Sequence, residues 1–177
     1  MKIILGISGA VAAYKSAFLA RLFIKEGWDL KVVMTEASKK FICPLTFKTL
    51  SSNPVYTEMF SQLHDPAHIS LSKWADLIVV APATANTLAK TAAGLADNLL
   101  SSIILDFSGP VVLCPAMHEG MWNSPATACN IKILKERGFI IIGPGCGSLA
   151  CGDEGWGRMS EPGNILKEVK KCKADGS

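Results

Sequence analysis

The sequence predicts an α/β fold, built as a three-layer, doubly wound parallel sheet. Three observations carry this. Short runs of Ile, Leu and Val alternate along the chain with helical patterns of about ten or more residues, the order that right-handed βαβ units require. The apolar runs lack polar alternation, as expected of strands covered by helices on both faces. Several runs end in clusters of small or polar residues, at the sheet edge where doubly wound proteins bind ligands. The arrangement is Rossmann-like, flavodoxin-like.

Taken in order, residues 2–7 (KIILGI) form the first strand. Residues 10–26 have helical spacing, with Val11, Phe18, Leu22 and Phe23 among the apolar positions and Gly27 as the stop. Residues 30–34 are the second strand, and 36–62 hold short helices and loops. Residues 76–81 form a buried strand; 84–95 and 97–107 are helical; 110–114 is a strand; 125–137 is a helix ending at Gly138; 139–142 is the last strand. A glycine-rich stretch, 143–157, precedes a terminal helix starting near Pro162. There is no internal repeat or linker. Residues 1–170 are expected to form one domain, with 171–177 a disordered tail.

A chain of 177 residues can bury roughly 70% of its unfolded surface without disulfide or metal staples. Charged residues are 19% and hydrophobic ones 49%, an apolar balance against the usual charged share of about 25%. A generous core or surface buried between subunits accounts for it equally well. The net charge of +3 comes from scattered basic residues, which argues against a nucleic-acid partner. No apolar run approaches the ~18 residues of a membrane span, and no cleavage-like site follows residues 1–5, so a cytoplasmic protein is expected. None of the six cysteines forms a C-x-x-C pair, which suits a reduced pool; Cys114 reads as a small buried hydrophobe. His64 and His68 lie four apart but lack a third ligand, so no metal is expected.

Candidate site residues cluster at the strand ends. Gly6-Ile7-Ser8-Gly9 leads straight into a helix. It suits either an anion at the helix N-terminus or a tight turn, and it is neither a G-x-G-x-x-G nor a Walker loop. Thr35, after the second strand, can cap a helix or bind a phosphate. Pro82-Ala83-Thr84-Ala85-Asn86-Thr87 can cap a helix or bring backbone and amide groups against a ring or phosphate. Pro115-Ala116-Met117-His118-Glu119-Gly120-Met121-Trp122 is unusually rich in His, Met and Trp for a plain turn. Residues 147–158 are too glycine-rich for a core element and have the character of a lid.

Together these segments resemble the flavin-dependent cysteine decarboxylases over roughly residues 1–170. The resemblance rests on HISLSKWAD from His68 to Asp76, on PATANT at 82–87 against the family's PASANT, and on PAMHEGMW at 115–122 against its PxMNxxMW. LACGDEGWGR at 149–158 is similar to the substrate clamp of the branch serving coenzyme A biosynthesis. The resemblance implies an FMN cofactor and decarboxylation of 4′-phosphopantothenoylcysteine to 4′-phosphopantetheine. The alternative readings of this chain that the resemblance leaves are a peptidyl-cysteine decarboxylase of peptide maturation, a flavin prenyltransferase and a non-enzymatic flavin-binding regulatory subunit.

Residue by residue, the resemblance implies that Ser8 and Gly9 meet the FMN phosphate, with Thr35 nearby and Phe41 near the flavin. Pro82, Ala83, Thr84, Ala85, Asn86 and Thr87 would line ring and phosphate, and Ala116 would touch the flavin. His68 would be the early base or polariser and Cys151 the late proton donor. Met117, His118, Gly152, Asp153 and Arg158 would hold the substrate, His118 replacing the family's carboxylate-binding asparagine. The resemblance also implies a homo-oligomer, a trimer or multiple of trimers, with His68 and His118 of one site from different chains. A separate phosphopantothenate–cysteine ligase is an expected partner.

Overall fold

The computed structural model describes residues 1–59, 67–148, 152 and 154–174. Six strands, β1 (Lys2–Ile7), β2 (Asp29–Met34), β3 (Val55–Tyr56), β4 (Leu77–Ala83), β5 (Val111–Pro115) and β6 (Ile140–Ile141), form one sheet in the order β3-β2-β1-β4-β5-β6. Every pairing is parallel. The chain enters at the middle, winds outward through β2 and β3, and returns to wind the other way from β4. The switch point therefore lies between β1 and β4, where a ligand crevice opens beyond the strands' carboxyl ends.

The helices are α1 (Ala13–Lys25), α2 (Pro44–Ser51), α3 (Ala67–Trp74), α4 (Ala85–Ala93), α5 (Leu99–Asp106), α6 (Glu119–Trp122), α7 (Pro125–Glu136) and α8 (Pro162–Ala174). Alternate strand residues point to opposite faces, and each face has its own core. Ile3, Leu5, Ile7, Val32 and Val79 pack with Leu19 and Phe23 of α1 and with Ile165 and Val169 of α8. Ile4, Val33, Ile78 and Val80 pack with Leu88 of α4, Leu100 and Ile103 of α5 and Leu134 of α7. Cys114 is fully buried in the first core, and burial pushes its thiol far up from the usual range.

Four features depart from the sequence expectation. The region 36–62 contributes an edge strand, β3, too short to show a period. Helix α1 starts at Ala13 and buries Ala13, Lys15, Ser16, Leu19, Ala20 and Phe23, while Val11 and Phe18 stay 54% and 58% exposed. Small residues let α1 lie close to the sheet, and the Ser16 hydroxyl donates to the Ala81 carbonyl at 2.6 Å. The bulkiest apolar side chains are thus not all on its buried face. The glycine-rich stretch contains an antiparallel hairpin, β7 (Gly145–Ser148) and β8 (Glu154–Arg158). Finally, α8 continues to Ala174, so the chain is helical over the first part of the expected tail. Among the described residues no helix is long and apolar enough to cross a membrane.

A cleft at the carboxyl edge of the sheet

A cavity of about 540 Å³ opens at the switch point, lined in part by Ser8, Gly9, Thr35, Thr84, Asn86 and Met117. Ala85, Thr87 and Ala116 also belong to its wall, so most of the sequence-predicted cofactor residues are brought together there. Phe41, Pro82 and Ala83 do not line it, and Phe41 stands 52% exposed.

Ser8 is a clip. Its hydroxyl donates to the Pro82 carbonyl at 2.7 Å and accepts the Thr84 N–H at 2.9 Å. The Ser8 N–H also donates to Pro82 O, at 3.2 Å. The ends of β1 and β4 are locked together by a side chain that is 1% exposed. Gly9 answers a different need: a methyl group there would stand 2.5 Å from the Ala37 Cβ, so only glycine lets this loop pass the chain after β2. Thr35 holds that second loop, its Oγ1 accepting the Ser38 N–H at 3.3 Å. Thr84 caps α4 by accepting the Thr87 N–H at 3.2 Å.

Sequence reasoning missed part of the cleft: Met34, Thr57, Leu99, Leu100 and Met121 give apolar or small surface, and Lys90, Asp97 and Asn98 form a polar strip. Lys90 pairs with Asp97, whose carboxyl is held below the usual range first by that hydrogen bond. Asn98 caps α5 in a reciprocal box with Ser101. The N-x-x-S spacing was a visible cap signal; that Lys90 and Asp97 meet, across the turn between two helices, was not.

The starts of α4 and α5 and the loop entering α1 all border this cavity. Helix starts offer backbone N–H groups and a positive dipole end to an anion.

His118 caps α6, its Nδ1 accepting the Gly120 N–H at 3.2 Å. It is exposed and does not line the cavity, whereas its neighbour Met117 does. Strand β8 docks on this loop: the Met117 N–H donates to the Gly157 carbonyl at 3.0 Å, and the Trp156 N–H donates to Glu119 Oε1 at 3.1 Å. A side chain at Gly157 would collide with the Met117 carbonyl, and one at Gly155 with the Glu119 carboxylate. The glycines are therefore a flat docking face. Gly152 is exposed; Cys151 and Asp153 lie outside the described residues. Arg158 is away from the cavity wall and donates to Glu161 Oε1 at 2.8 Å.

His68 sits on α3, partly buried, and does not line the cavity. Its Nδ1 is buried with no hydrogen-bond partner among the described residues. His64 lies outside the described residues.

A doubly wound sheet with helix starts converging on a largely apolar cleft defines a protein of the phosphate-bearing-cofactor class. The chain belongs to the Flavoprotein family, whose model matches residues 1–173. It is 47% identical over 167 residues to the coenzyme A biosynthesis bifunctional protein CoaBC of Vibrio cholerae, covering 93% of this chain and 42% of that protein. The chain thus spans about two fifths of the length of the curated relatives it matches. It is also similar to the solved structure of a PPC decarboxylase mutant complexed with pantothenoylaminoethenethiol, with a TM-score of 0.85, 37% identity and 96% of each chain covered. The structure of the FMN binding protein AtHal3 matches with a TM-score of 0.82 and 37% identity over 96% of this chain and 94% of that one.

Proposed function

We propose that this chain is a carboxy-lyase that binds FMN in the cleft and converts 4′-phosphopantothenoylcysteine to 4′-phosphopantetheine in coenzyme A biosynthesis. The observation that carries the reading is the cleft itself, placed at the switch point of a chain that matches a PPC decarboxylase over 96% of both lengths.

The residues present fit FMN. A phosphate dianion suits the backbone at Gly9 and the start of α4 at Thr84–Thr87, with Thr35 alongside. A flat, mostly apolar ring suits Met34, Leu99, Ala116 and Met117. Ser8 serves by shaping the loop, since its hydroxyl and N–H are both spent on the β4 end. When bound, the flavin supplies a two-electron acceptor next to a thiol-bearing carbon, which opens a route for the neighbouring carboxylate to leave. His68 positions the substrate and moves a proton in the early steps, for which imidazole is suited near neutral pH. His118 holds the carboxylate. With Nδ1 accepting from Gly120, a neutral ring carries its proton on Nε2, the nitrogen that then donates. Cys151 returns a proton late in the cycle, and the hairpin, with Gly152, Asp153 and Arg158, covers the substrate.

The site is completed between copies of the chain, in a trimer or a multiple of trimers. Two observations support this: His68 on α3 does not line the cavity of its own chain, and Tyr14 and Phe18 of α1, with Val11 just ahead of that helix, present exposed apolar side chains. A phosphopantothenate–cysteine ligase, fused or separate, is the natural partner of a chain whose relatives are bifunctional, and a cytoplasmic location suits that pathway.

The test is direct. Protein reconstituted with FMN is incubated with 4′-phosphopantothenoylcysteine, and the product is identified by mass. The aminethiol lacking the carboxyl group is expected; unchanged substrate with a yellow, flavin-loaded protein would defeat the assignment.

A further inference from the structure

Lys15 is the one charged residue among the described residues that is nearly shut off from solvent, at 5% exposed. Its Nζ donates to the Met159 carbonyl at 3.1 Å and to Glu161 Oε1 at 2.8 Å. Arg158 Nη2 shares that carboxylate oxygen, also at 2.8 Å. Burying an ammonium is costly, and an apolar side chain of similar length packs such a place as well or better for stability. What an ammonium adds is geometry, because its donors define where the acceptors must sit.

Those acceptors lie directly after β8. One residue before Met159, Arg158 ends the strand; two before, the Gly157 carbonyl holds the N–H of Met117, a residue of the cavity wall. On the other side, Lys15 lies in the first turn of α1, and the loop entering that helix supplies Ser8, Gly9 and Ala10 to the same wall. A closed circuit therefore runs from one side of the cleft, through Lys15, to the strand that docks on the other side.

Resting on the reading that the cleft takes FMN, we propose that Lys15 is a positioning residue that couples cofactor occupancy to the seating of β8. Ligand in the cleft steadies the loop entering α1, Lys15 passes that constraint to Met159 and Glu161, and β8 is held against Met117 and Glu119. By linkage, a seated strand tightens the cofactor by the same factor.

The experiment is amide hydrogen exchange of residues 154–159 in the full-length protein, with and without FMN. Wild type should show exchange slowed about tenfold by FMN, a coupling of ordinary allosteric size. Lys15→Met should fold and take up FMN, but FMN should no longer slow exchange in β8, and FMN affinity should fall by the same factor. FMN-dependent slowing in Lys15→Met equal to wild type overturns the proposal. So does a wild-type strand that ignores bound flavin. If Lys15→Met does not fold, Glu161→Ala is measured the same way: diminished slowing supports the coupling, and wild-type slowing overturns it. A wild-type protein that takes up no flavin by absorbance defeats the FMN reading first and brings the proposal down with it.

Discussion

His118 caps α6, and the proposed function also gives it the substrate carboxylate. It starts α6 as the acceptor of the Gly120 N–H, a role that asparagine performs equally well, and an asparagine amide also offers an N–H to a carboxylate. His118→Asn is therefore expected to keep kcat/KM near wild type in steady-state assays. His118→Ala loses both the cap and the donor. Its kcat/KM should drop by about ten- to a hundredfold, the loss of one charge-assisted hydrogen bond. Gly9 tests packing in place of chemistry. Its missing Cβ is what lets the loop pass Ala37, and filling a tight contact of this kind costs about 1–3 kcal/mol. Gly9→Ala should melt earlier by calorimetry and lose flavin absorbance on gel filtration.

At the level of elements, legibility followed pattern length. β1, β4 and β5 hold continuous apolar runs of at least five residues, and each is visible because burial on both faces leaves no polar interruption; β2 is read from Leu30 and Val32–Met34, which stay buried on either side of a partly buried Lys31. β3, with two residues at the sheet edge, has no period to read. The β7–β8 hairpin was hidden because its glycines, chosen for close docking on Met117 and Glu119, erase the side-chain alternation that marks a strand. The same division holds in the cleft. Residues at strand ends were found, while Lys90 and Asp97, on α4 and in the turn that follows it, belong to the wall only through tertiary placement.

The junction between β8 and α8 has a pH signature. Glu161 is held below its usual value of 4.5, first by the hydrogen bond from Lys15 and then by Arg158. A depressed carboxyl stabilises the fold fully above that usual value, and the contribution fades as pH falls through the lower folded value. Melting temperatures followed downward from pH 5 should therefore fall less steeply in Glu161→Gln than in wild type. Because the Glu161 side chain is 53% exposed, solvent screens the pair and the difference should be modest.

On the scale of the whole molecule, the arrangement of His68 and the hairpin decides whether one chain is enough. β8 docks on the loop of its own chain that carries Met117 and His118, and the proposed function assigns Cys151, which lies between β7 and β8 in sequence, to the cleft of that same chain. His68, on α3, does not line that cleft. If a neighbour supplies it, two inactive variants can repair each other. His68→Asn alone should lose turnover, and Cys151→Ser alone should stop at an oxidised enethiol-type product. When the two chains are co-assembled in equal amounts, a site is whole if its own chain keeps Cys151 and its neighbour keeps His68. Random assortment in a symmetric oligomer gives about a quarter of the sites this composition. Formation of the saturated aminethiol at about that fraction of the wild-type rate, measured by product mass, is the expected result. A site built within one chain regenerates none, because no single polypeptide in the mixture carries both residues.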